Sequence, residues 1–150
     1  MRTIFEALRE SHETQRTLCR KLLALEDFKK RDEVFTTLRM ELHAHAAAEE
    51  RFLYVPLLMK DGGLNSSRHA LAEHHDIDEL LEEMSTKVKR GRKWMATARK
   101  LGKKVRHHLK EEETKFFQVA GKLINATQKK TLATQYTKEL VRMRKVLRAR

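Results

Sequence analysis

The chain has 150 residues, a net charge of +12, 36% charged residues, one proline and one cysteine. Its length suits one domain with its own core; the lone Cys19 excludes an internal disulfide and predicts a reducing, cytoplasmic setting. MRTIFEALRESHE carries no apolar leader and no run is apolar enough to span a membrane, while the wealth of Leu, Ala, Glu, Lys and Arg predicts an all-α protein.

A first helix is expected over about residues 3–25, and LEDFKKRD (25–32) separates it from a second over about 32–59. Pro56 is placed to kink the last turn of that second helix. KDGGLNSS (60–67) is the clearest break, and its Asn/Ser pair is the expected N-cap of a third helix. KRGR (89–92) ends that helix before a fourth over about 93–125, and Thr127 is the expected cap of a fifth. Four long helices on short connections predict an up-down-up-down antiparallel four-helix bundle over residues 1–125. Residues 126–150 then form a basic C-terminal helix packed on it or extending from it.

Charge is uneven along this order. Residues 1–85 hold 12 Lys/Arg against 17 Asp/Glu, whereas residues 86–150 hold 21 against 4. The basic half is either a solvated face or a surface for nucleic acid or another anionic partner, with Trp94 among the cations of residues 86–106. No helix-turn-helix or RNA-recognition motif accompanies it.

Helical phase divides the eight histidines into two groups. Core positions recur at alternating steps of three and four. The stripes run Phe5, Leu8, His12, Gln15, Cys19, Leu22 in helix one and Leu38, Leu42, His45, Glu49, Phe52, Pro56 in helix two. They continue as Ala70, His74, Ile77, Leu81, Met84, Val88 in helix three and Leu101, Val105, His108, Glu112, Phe116, Val119, Leu123 in helix four. His43, His69, His75 and His107 fall on sides read as solvent-facing. Two glutamates facing each other in a core repel or take up a proton, and cations between them remove the problem. Residues four apart project side by side, so His45/Glu49 and His108/Glu112 can each offer two ligands to one site. Four imidazoles and two carboxylates suit a dinuclear centre, with each glutamate bridging and each metal taking two imidazoles. Nitrogen with carboxylate oxygen suits iron, manganese or zinc. The alternative is a fully satisfied polar network without metal.

LRESH (8–12), LHAHAAAEERFLYVPL (42–57), AEHHDIDELL (72–81) and VRHHLKEEETKFF (105–117) together resemble a hemerythrin-type HHE cation-binding domain over roughly residues 3–125. The resemblance implies a non-haem di-iron centre with His12, His45, His74 and His108 as terminal ligands and Glu49 and Glu112 as bridges. It implies sensing, binding or detoxification of oxygen, peroxide or nitric oxide. The family's oxygen carriers have a further histidine where this chain has Ala70, which argues against simple oxygen carriage and for an open coordination position. Phe5, Phe52, Phe116 and Leu81 are expected either to wall the centre or simply to pack the core, and Cys19 to be a buried, inert thiol.

Overall fold

The computed structural model describes residues 2–86 and 91–149, and regular structure among them is helical throughout. Helix α1 (Ile4–Ala24) begins at Thr3, whose side chain accepts from the Glu6 amide while the Glu6 carboxylate accepts from the Thr3 amide. Helix α2 (Phe28–Glu49) begins at Asp27, which accepts from the Lys30 amide. This cap starts α2 earlier than expected and shortens the break after α1. The rod continues through a π-helical turn (Glu50–Tyr54) into α3 (Val55–Leu58). Pro56 lies in the first turn of α3, where the hydrogen-bond step is changing and its missing N–H is tolerated.

The reversal into α4 (Leu64–Ser85) depends on glycine. Gly62 has φ 87°, and a Cβ on Gly63 would meet the Leu57 carbonyl oxygen at 2.2 Å. Gly63 itself is the N-cap, and the Asn/Ser pair expected there lies inside the first turn. Helix α5 (Arg92–Glu111) begins at Gly91. Lys89 and Arg90 of the expected break, and Val88 of the expected stripe, lie outside the described residues. A second π turn (Glu112–Phe116) joins α5 to α6 (Phe117–Leu123). Helix α7 (Ala126–Arg148) is capped by Asn125, reciprocally with Gln128, rather than by Thr127.

The rods α1, α2–α3, α4 and α5–α6 form the up-down-up-down bundle, and α7 packs along α1 and α2. Arg144 on α7 pairs with the buried Glu41 on α2 at 2.9 Å, and Glu139 on α7 pairs with Arg51 in the first π turn at 3.1 Å. Trp94 is 1% exposed, donates its indole N–H to the Met84 carbonyl and stands edge-on to Phe35. It therefore anchors the α4–α5 end of the core. It is buried in the core and is not part of the exposed basic surface.

The π turns change which side chains face inward. As far as Glu49 and Glu112 the expected stripes hold, with Leu38, Leu42, His45, Leu101, Val105 and His108 all buried. Each π turn then adds one residue to a helical turn, a phase slip of about 100°. Phe52 and Pro56 are consequently only half-buried, and Leu53, Tyr54 and Leu57 take the core face. In the same way Val119 and Leu123 yield to Phe117, Ala120 and Ile124, while Phe116 stays buried. Two apolar clusters result. One contains Ile4, Leu8, Leu53, Phe116, Phe117 and Tyr136; the other contains Leu22, Leu38, Leu81, Met84, Trp94 and Val105. A layer of buried polar side chains accompanies them.

Candidate metal centre

His12 of α1, His45 and Glu49 of α2, His74 of α4, His108 of α5 and Glu112 at the second π turn are brought together in that layer, none more than 5% exposed. Their donor atoms form two groups within which all atoms lie within 4.8 Å of one another. One is His12, His45, Glu49 and Glu112; the other is Glu49, His74, His108 and Glu112. Both glutamates belong to both groups. His12 Nε2 lies 3.3 Å from Glu112, and His45 Nε2 lies 3.2 Å from Glu49. His74 Nε2 is 3.2 Å from Glu49, His108 Nε2 is 3.4 Å from Glu112, and these two nitrogens face each other at 3.1 Å.

Every Nε2 therefore points inward, and the Nδ1 atoms meet an outer ring of polar groups. His12 Nδ1 is 2.7 Å from Glu113, His108 Nδ1 is 3.0 Å from Glu73, and His45 Nδ1 is 2.7 Å from the Tyr136 hydroxyl. Tyr136 in turn lies 2.6 Å from Ser11. With its own proton given to Ser11, the Tyr136 oxygen accepts from His45 Nδ1–H. His74 Nδ1 lies 3.6 Å from Glu50 and has no hydrogen-bond partner among the described residues. Acceptors at Nδ1 hold the His12, His45 and His108 rings in the tautomer whose Nε2 lone pair faces the centre.

Sequence phase missed several of these residues. Tyr54 falls on the solvent side of an unbroken α-helix, but the π turn carries it into the centre. It is fully buried, donates to Glu49 at 2.7 Å, contacts Glu112 and stands 3.3 Å from His74 Nε2. Its oxygen is therefore placed among the donors of the second group. Glu73 lies on the side read as exposed because His69 precedes it by one turn, yet it is buried beneath that histidine. Tyr136 sits in a helix whose sequence offers no link to the ligand stripes.

Four buried atoms facing this layer have no hydrogen-bond partner among the described residues: His12 Nε2, His45 Nε2, Glu49 Oε2 and Glu112 Oε1. Leaving such groups unpaired is costly, of order 1–3 kcal/mol for a neutral group and more for a charged one. All four belong to residues of the first group, where one cation would engage them, and the second group offers a four-donor set of its own; the residues present therefore fit metal ions with mixed nitrogen and oxygen preference. Protonation follows the same electrostatics. Burial lowers the His12 imidazole, but Glu112 and Glu113 outweigh it and bring it up to about 9; Glu49 and Glu50 likewise bring His74 up to about 10. Burial and the adjacent Glu49 push Glu112 up to about 7, while Glu49, despite its burial, is held well below the usual carboxylate range by His45 and its hydrogen bonds. Burial lowers His45, and burial with the two carboxylates raises Tyr54 well above a free phenol.

Phe117 stacks on His12 at 6.0 Å and Phe116 stands edge-on to Tyr54 at 5.1 Å, and together they wall one side. Phe5 packs behind Phe117 at 5.0 Å. Phe52, expected in this wall, is turned outward under the Arg51 guanidinium, and Leu81 lies in the far cluster. Cys19 is buried there too, its thiol pushed up by burial to about 11. His75, His107 and His69 are exposed and His43 half-buried. Beside Ala70 a cavity of about 250 Å³ between α4 and α5 reaches His108 and Glu112.

Residues 3–120 match the model of the Hemerythrin HHE cation binding domain family. The fold is similar to the crystal structure of a Hemerythrin HHE cation binding domain-containing protein from Mycobacterium kansasii, with a TM-score of 0.85 and 22% identity, over 97% of this chain and 90% of that one. No curated protein matches the chain.

Proposed function

The chain belongs to the Hemerythrin HHE cation-binding family, and from that premise we propose that it holds two non-haem irons and uses them to sense, bind or detoxify a small species such as oxygen, peroxide or nitric oxide. His12 and His45 would hold one iron and His74 and His108 the other, with Glu49 and Glu112 available to both. Tyr54 is a further oxygen donor on the His74/His108 side. The observation supporting this reading most strongly is the pair of four-donor groups that share both glutamates, with four inward atoms that have no hydrogen-bond partner among the described residues.

Iron would supply one-electron redox chemistry and an open coordination position. The protein's own part is orientation and access. Glu113, Glu73 and Tyr136 hold three imidazoles by their outer nitrogens, and Phe116 and Phe117 exclude water from one side. The cavity beside Ala70 admits a molecule of a few atoms. Residues 1–125 supply the ligands, and residues 126–150 contribute Tyr136 from outside.

Iron content and the visible spectrum test this reading, on protein purified from iron-supplemented cells and then mixed with oxygen, peroxide or nitric oxide. About two irons per chain, with charge-transfer bands that change on reduction and on adding one of the three, are expected for this centre. A folded protein that takes up no iron on reconstitution would overturn it.

A further inference from the structure

The histidine-to-glutamate spacing of the buried pairs recurs nearer the surface, as the exposed His69 with the buried Glu73 on α4 and as His107/Glu111 on α5. The two pairs meet. His69 Nε2 lies 2.7 Å from Glu111 and 3.4 Å from Glu73, and these three residues each offer a donor atom within 4.8 Å of the others. His107 Nε2 adds a second imidazole, 2.9 Å from Glu111 and 4.0 Å from Glu73. Imidazole with two carboxylates suits a divalent transition ion more than calcium, which asks for more oxygens.

The cluster also lies at the mouth of a cavity that reaches the inner donors. His69, Glu73 and Glu111 line the same cavity, of about 250 Å³, whose wall also includes His108 and Glu112. Glu112 is 2% exposed, with Oε2 3.4 Å from His108 Nε2 and Oε1, on the His12 side, without a hydrogen-bond partner among the described residues. Glu73 spans the two constellations, with Oε1 3.0 Å from His108 Nδ1 and the other oxygen toward His107. Lys115 borders the cavity, and Lys104 lies 3.9 Å from Glu73 and 3.3 Å from Asp76. These cations weaken an ion's hold, which suits a site it must leave. Exposed ion pairs add at most about 1 kcal/mol to stability, so folding alone gives little reason for the exposed His69 and His107 to join Glu111 at this mouth.

We propose that His69, Glu73 and Glu111, assisted by His107, form an outer divalent-cation site that holds a metal ion before it passes through the cavity to the inner centre. The transit role rests on the reading of that centre given above. A neutral His69 binds through Nε2 by carrying its proton on Nδ1, and water completes the shell.

Metal-free protein titrated with cobalt(II) tests the proposal, with bound ions counted by equilibrium dialysis and inner filling followed by absorbance. The variant is H69A/E111Q, which removes two half-exposed or exposed donors and leaves Glu73 on His108. Wild type takes up three ions per chain, the third weakly; the variant loses that third ion and fills the inner pair more slowly, with unchanged helicity. Equal uptake at equal rates in both proteins overturns the outer site. Loss of the third ion with an unchanged filling rate overturns the transit role. A wild type that binds one ion, abolished in the variant, upholds the outer site and refutes the inner centre instead.

Discussion

Replacing Tyr136 by Phe keeps the ring and removes only the hydroxyl, which isolates what α7 contributes to the centre. The ring is 1% exposed and stands edge-on to His45 at 5.9 Å, so its packing survives the change. The hydroxyl is 2.7 Å from His45 Nδ1 and 2.6 Å from Ser11. Ser11 can rotate its hydroxyl toward a backbone carbonyl, whereas the buried His45 nitrogen is left with no partner. A buried group stripped of its partner costs about 1–3 kcal/mol, so about 2 kcal/mol is expected here. In a chain of this size that lowers Tm by roughly 4–8 °C. With metal bound, the same change releases the tautomer of His45 and weakens metal affinity about 10–100-fold. Thermal unfolding of the metal-free protein and competition against a chelator read the two effects separately. A lowered Tm with unchanged metal affinity would refute the positioning role, and no change in either would refute the reasoning altogether.

Three other changes probe different parts of the account. Tyr54→Phe should fold normally yet lose a phenolate-to-iron(III) charge-transfer band; an identical visible spectrum would remove Tyr54 from the donor set. Glu73→Gln and Glu113→Gln should each weaken metal binding about tenfold or more by loosening His108 and His12, measured by chelator competition, and wild-type affinity in both would contradict the outer ring. For Cys19, a thiol raised from 9.0 to about 11 in the folded chain favours folding below pH 9 and loses that contribution as pH climbs toward 11. At pH 8 it is protonated and 2% exposed, so iodoacetamide should label it only in urea; rapid labelling of the folded protein would contradict its burial.

Much of the centre could be read from residue order because a rigid α-helix keeps phase from its start to the first irregularity. His12, His45, Glu49, His74, His108 and Glu112 all lie before or at such a point, and all six converge. Past Glu49 and Glu112 the phase slips, and there the stripes misplace Phe52, Pro56, Val119 and Leu123. A signal was present in both segments. The residues four, five and eight after each glutamate are Leu53, Tyr54, Leu57 and Phe116, Phe117, Ala120; the fourth and eighth fit α-helical steps of four, but the aromatic at the fifth position, Tyr54 or Phe117, falls off that face in an unbroken helix. Glu73 and Tyr136 were hidden for another reason. Their roles depend on a neighbour from a different helix, His108 and His45, and periodicity within one helix carries no record of such a contact. The helix caps failed locally, since Asn125 and Gly63 outcompete nearby residues whose side chains suit the same position.

The most direct test of the central claim is anomalous diffraction at the iron edge from crystals of the iron-loaded protein. The account predicts two peaks per chain, one among His12, His45, Glu49 and Glu112 and one among Glu49, His74, His108 and Glu112, with both glutamates between them. A single peak, or peaks away from these six side chains, would contradict it.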